Sequence, residues 1–99
     1  HKAIGIAAGL EVDALDRLAR GEDPGWSRDL EVTYRYTRTL VADHRVTQAL
    51  HDELVACLGE QGVVEIVTTI GYYCLICLTL NAFEVPLSTR MVDPWPEQA

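Results

Sequence analysis

Gln61-Gly62-Val63-Val64-Glu65-Ile66-Val67-Thr68-Thr69-Ile70-Gly71-Tyr72-Tyr73-Cys74-Leu75-Ile76-Cys77-Leu78-Thr79-Leu80-Asn81-Ala82-Phe83 decides the fold. β-Branched residues cluster between Val63 and Thr69, where local propensity favours a strand. The apolar pattern nevertheless runs unbroken until Pro86, which blocks continuation, and a run of this length reads as a helix. It is apolar nearly all round, as expected of a helix at a core or an interface. No charged residue occurs from Ile66 to Phe83, a stretch at the lower limit for a membrane span. Thr68, Thr69, Thr79 and Asn81 interrupt that stretch, and Glu65 and Glu84 bound it without a cationic flank. The expectation is a buried helix in a soluble protein.

The segments upstream are helical as well. Thr47 is placed to cap a helix through Leu58, in which Leu50, Leu54 and Leu58 recur every four residues before Gly59 ends it. Ser27 is the N-cap candidate for a helix from about Arg28 to Asp43, with Leu30, Tyr34, Thr37 and Val41 as its stripe and Glu31–Arg35 on the outer face. Glu11 to Arg20 carries Ala14, Leu15 and Leu18 on one side. Asp13–Arg17 and Asp16–Arg20 are acid-first pairs, and Gly21 stops the helix before the loop Glu22-Asp23-Pro24-Gly25. His1 to about Ala8 forms a short helical end with Gly9 at the C′ position. The sequence therefore predicts an all-α fold of about five helices in one domain over residues 1–87. Residues 88–99, with Pro94-Trp95-Pro96, read as an irregular tail.

Composition narrows the partners. Ninety-nine residues bury a modest core, yet 48% of them are hydrophobic, so part of the apolar surface is expected to lie against further copies of the chain. A net charge of −7, from 15 acidic and 8 basic residues, argues against nucleic acid and anionic membranes. Cys57, Cys74 and Cys77 sit in helical patterns rather than in a disulfide framework, and no signal peptide opens the chain, so a reducing cytoplasm is expected.

Few residues are arranged for chemistry. Cys74-Leu75-Ile76-Cys77 puts two sulfurs on one helical face, but the pair lies mid-helix with no Lys, Arg or His nearby in sequence. Apolar burial disfavours the thiolate, so both are expected to be packed core cysteines, and Cys57 likewise. His1, His44 and His51 form no metal spacing with one another or with the cysteines; neither a metal nor a cofactor is expected. His44, near a helix end, and His51, beside Asp52 and Glu53, read as structural or surface residues. Glu65, Tyr73 and Asn81 recur every eight residues along the long helix, slightly more than two turns apart, so they are expected to share a face with modest drift. Polar groups on an apolar helix need partners, and the three are either packing hydrogen bonds or pocket-lining groups.

Two stretches resemble known family sequence. His1-Lys2-Ala3-Ile4-Gly5-Ile6-Ala7-Ala8-Gly9-Leu10 is similar to the His-x-x-x-Ala-x-x-x-Gly-hydrophobic segment of the carboxymuconolactone decarboxylase and alkylhydroperoxidase D-like families. Glu65-Ile66-Val67, Tyr73 and Leu80-Asn81-Ala82 resemble the decarboxylase pattern of an acid-led helix that passes a tyrosine and ends in Asn-Ala. The run Gly59 to Leu87, ending Asn81-Ala82-Phe83-Glu84-Val85-Pro86-Leu87, looks like one branch of the decarboxylase family. The resemblance covers most of residues 1–87. It implies the all-helical fold of the alkylhydroperoxidase D-like proteins, assembled as trimers or hexamers. It also implies a site role for His1, since the family's functional histidine precedes the glycine by the spacing of His1 and Gly9. In the peroxidases the CxxC motif lies upstream of that histidine. The resemblance thus places any such motif before residue 1 and gives Cys74 and Cys77 no peroxidatic role.

Three functions follow as expectations. Foremost is decarboxylase-type proton transfer on a small carboxylated lactone, with His1 as the acid–base group and Tyr73, Asn81 and Glu65 as pocket candidates. Next is a thiol peroxidase of the alkylhydroperoxidase D-like kind, with its CxxC upstream of His1. Last is a non-catalytic oligomeric helical protein that keeps the fold without the site.

Overall fold

A computed structural model describes residues 2–88. Among the described residues the chain is all-helical: α1 Lys2–Ala7, α2 Val12–Ala19, α3 Arg28–Asp43 and α4 Gln48–Ala82. The expected fourth and fifth helices run on as a single element, α4, kinked at Gly59, so the elements number four rather than about five. The chain divides into two compact units, one containing α1 and α2, the other spanning Ser27–Val85 with α3 and α4.

In the first unit, Ala14 and Leu15 are the buried residues of α2. The amide of Glu22 reaches Arg17 O at 2.8 Å and that of Gly21 reaches Leu18 O at 3.0 Å. This pair of reversed hydrogen bonds closes the helix where Gly21 is expected to stop it. Asp13 pairs with Arg17 at 2.9 Å as its spacing predicts. The neighbouring pair differs: Asp16 takes Lys2 Nζ at 2.9 Å, and Arg20 turns to Glu22.

The second unit has the core. Val32 and Tyr36 of α3 meet Leu50, Leu54 and Val63 of α4, with Leu40, Val46, Val55, Cys57, Leu58 and Ile66 packed around them. The buried stripe of α3 is thus Val32–Tyr36–Leu40, and the expected stripe is displaced. Leu30 and Val41 are exposed. Both rows recur at three- or four-residue spacing and are mainly apolar, so periodicity alone does not choose between them. Two polar ties hold α3 against the start of α4. Arg35 donates to Glu31 at 3.0 Å and, across the helices, to Glu53 at 2.8 Å. The Tyr36 hydroxyl lies 3.1 Å from His51 Nδ1. Ser27 occupies the N-cap of α3 without a side-chain cap bond, whereas Thr47 Oγ1 accepts from the Leu50 amide at 3.2 Å.

Gly59 breaks α4, with φ 76° and ψ 166° inside an otherwise helical run. This conformation belongs to glycine. Three residues on, a Cβ at Gly62 would stand 2.8 Å from Leu58 Cβ, so the chain beyond the break can pass this close only without a side chain. The break lies where the sequence ends one helix and begins the next. Beyond Val63 no α4 residue is fully buried, and Val64, Leu75, Leu78 and Phe83 are 64%, 63%, 70% and 78% exposed. The expectation of a buried helix is overturned for the single chain, because α3 covers only one side of this all-round apolar surface. The helix closes with Glu84 at φ 49°, its amide on Asn81 O and that of Val85 on Leu80 O, ahead of Pro86.

Candidate functional site

α3 and the later part of α4 enclose an open groove of about 530 Å³. Thr37 and Val41 form one wall, and Ile66, Thr69, Ile70, Tyr73, Cys74 and Cys77 the other. Residues at 66, 69/70, 73 and 77 recur at three- and four-residue intervals, so helical geometry brings them to one face of α4. The wall is almost wholly apolar. Thr37 turns its hydroxyl to Thr33 O at 2.7 Å and Thr69 to Glu65 O at 2.8 Å, so both satisfy themselves along their own helices and leave methyl groups to the groove. Val41 and Thr37 belong to the row expected to be the stripe of α3: that row lines the groove, and its neighbour fills the core.

Of Glu65, Tyr73 and Asn81, the sequence-derived site residues that are described, Tyr73 lines the groove and the other two do not. It is 44% exposed and stacks edge-on with Tyr72 at a centroid distance of 5.8 Å. Glu65 is exposed and accepts from Gln61 Nε2 at 3.3 Å; Asn81 is exposed at the end of α4. Eight residues advance a helix by two turns plus about 80°, so the three positions spiral away from one another. His1 lies outside the described residues.

The cysteines also need correction. Cys74 is half-buried and Cys77 exposed, and both border the groove rather than a packed core. The cause is the uncovered flank of α4. Cys57 does pack against the core, and burial, followed by its hydrogen bond with Asp29, pushes its thiol up from the ordinary range. Its surroundings therefore disfavour the thiolate. His51 is held by Tyr36 as a structural residue. His44 ends α3 in a left-handed conformation, φ 62°, with its amide on Leu40 O at 2.8 Å. Among the described residues, no three His, Cys, Asp or Glu side chains gather to hold a metal.

Sequence reasoning missed Thr37, Val41, Ile66, Thr69 and Ile70 as groove residues. Their signal was the second apolar row on α3 facing an α4 that is apolar on every side. No family model, curated protein or solved structure matches the chain.

Proposed function

We propose that this chain is a carboxymuconolactone decarboxylase-like protein whose α3–α4 groove takes the carbon skeleton of a small carboxylated lactone. The observation that carries the reading is the groove, an apolar cleft of ligand size with one phenol at its edge, beside the resemblance over most of residues 1–87. Such walls suit decarboxylation. Breaking the bond between the ring carbon and the carboxylate releases carbon dioxide and leaves the electron pair delocalised on the lactone. The charge is more dispersed after the bond breaks than before, so a weakly solvating site raises the starting carboxylate more than the transition state. Tyr73 orients the lactone by a hydrogen bond to its carbonyl. The pair then takes a proton from a general acid, and the resemblance gives the chain one candidate for that role, His1.

The test is to titrate the protein with a small carboxylated unsaturated lactone while recording methyl spectra and carbon dioxide release. The Val41, Ile66 and Ile70 methyl signals shift, and Ile70→Trp, which fills the groove, removes the shifts. His1→Gln retains them and releases carbon dioxide on the order of a hundredfold more slowly. Saturating lactone that moves none of these signals ends the reading.

A further inference from the structure

Cys74 and Cys77 border the groove, yet neither belongs to the core and the proposed chemistry uses neither. They stand three residues apart inside α4, the first half-buried and the second exposed. Residues at that spacing share a helical face, with Cβ atoms about 5–6 Å apart. Helical rotamers lean a side chain back over the preceding turn, which directs the Cys77 thiol toward Cys74. We infer that the two thiols form a binding site for a trivalent organoarsenical, the arsenic bridging both sulfurs and its organic group seated in the apolar groove. This site requires only the groove and the two sulfurs, whatever else the groove takes, so it stands apart from the lactone reading.

Three features select that ligand. The first is reach. A disulfide needs Cβ atoms about 3.5–4.5 Å apart, closer than one helical turn sets them, whereas an atom bonded to both sulfurs spans the wider gap. The second is coordination number. Zinc takes at least three protein ligands, and among the described residues no third His, Cys, Asp or Glu joins the pair. Arsenic that already carries one organic group is complete with two thiolates. The third is charge. Copper(I) between two thiolates keeps a net negative charge, which is costly against an apolar wall whose Thr37 and Thr69 hydroxyls are turned to their own helices. The organoarsenical bis-thiolate is neutral, and its phenyl or short alkyl group suits the wall formed by Val41, Ile66 and Ile70.

The reaction is an exchange of ligands. Two As–O bonds of the hydrated arsenical break and two As–S bonds form. Each thiol proton leaves with a hydroxide, so two waters are released. Arsenic stays trivalent, and nothing is oxidised or reduced. Cys57 packs against the core on the earlier part of α4 and offers one sulfur only, so it gains nothing from ring closure.

The experiment titrates the whole chain, reduced with a phosphine, with phenylarsine oxide; intact mass reads bound arsenic and a thiol-specific dye reads the thiols that remain. One phenylarsenic group binds per chain, two thiols are lost to the dye, and the adduct survives about 1 mM monothiol but yields to a dithiol. Cys77→Ser, at an exposed site, binds at least about a hundredfold more weakly, while Cys57→Ser binds as the wild type does. Cys77→Ser/Ile76→Cys keeps three thiols but turns the second away from Cys74, and it suffers the same loss. Circular dichroism confirms the helices; if the double variant unfolds, Cys77→Ser carries the comparison. Ile70→Trp fills the groove and weakens phenylarsine oxide about tenfold, leaving methylarsonous acid as tightly bound as before. No arsenic uptake by the wild type, undiminished binding by Cys77→Ser or by a folded Cys77→Ser/Ile76→Cys, a loss on Cys57→Ser, or no response to Ile70→Trp overturns the inference. So does a wild type from which copper(I) displaces the arsenical, which would assign the pair to a metal ion.

Discussion

The two parts of α4 on either side of its Gly59 break are both apolar, but they have different fates. Leu50 and Leu54 on the first part are 8% and 0% exposed, Val63 just past the break is 4%, and nothing beyond it is fully buried. The first part is amphipathic, and its leucines at intervals of four meet the Val32–Tyr36 row of α3. The second is apolar all round, so one neighbouring helix satisfies only a strip of it. Hydrophobicity states that a surface needs covering; it does not name the cover.

The sharpest way to break this contrast is to truncate one leucine on each side. Leu54→Ala empties a fully buried site and should cost about 3–4 kcal/mol of unfolding free energy. Leu78→Ala should cost under about 0.5 kcal/mol in dilute solution, with a larger loss appearing only as protein concentration rises. Urea melts at two concentrations measure both. Equal costs in dilute solution would mean that the second part of α4 is covered within the single chain. Next in size is the break itself. Gly59→Ala meets no side chain within 4 Å, so its cost is backbone strain alone, about 2 kcal/mol by the same melts. A neutral result would mean that α4 straightens without penalty.

Smaller effects sharpen the comparison at either end. Tyr36→Phe removes the hydroxyl beside His51 Nδ1 and should cost about 1 kcal/mol, a loss confined to the covered part. Glu84→Gly should gain about 1 kcal/mol. It relieves a non-glycine residue at φ 49° and removes an acid from the negative end of the helix. A stability loss there would show that the Glu84 carboxylate makes a contact worth more than the strain.

The boundaries were largely legible because punctuation residues set them. Thr47, Gly21, Gly59 and Pro86 mark starts and stops through capping and backbone restriction, which are local effects, and Ser27 marks the N-cap position of α3 without a side-chain bond. Orientation was not legible. On α3 the rows containing Leu30 and Val32 are both plausible stripes, and only the presence of Leu50 and Leu54 opposite decides between them. The site shows the same division. Tyr73 was visible as a polar residue on an apolar helix, but the drift that carries Glu65 and Asn81 off its face becomes decisive only once α3 fixes which face matters. Cys74 and Cys77 were read as buried because their sequence neighbours are apolar, and those neighbours are themselves largely uncovered.

The Gly59 break also has a consequence for how opening is distributed along the chain. An unbroken helix of 35 residues would link its two ends through one continuous ladder of amide hydrogen bonds. With residue 59 outside helical space, that ladder is interrupted next to Leu54 and Val63, the tightest part of the core. The outer turns can then fray and re-form without loosening the α3 contact. Amide exchange should resolve them as two populations: slow protons between Leu50 and Leu58, opening with the whole unit, and faster ones beyond Ile70, opening alone.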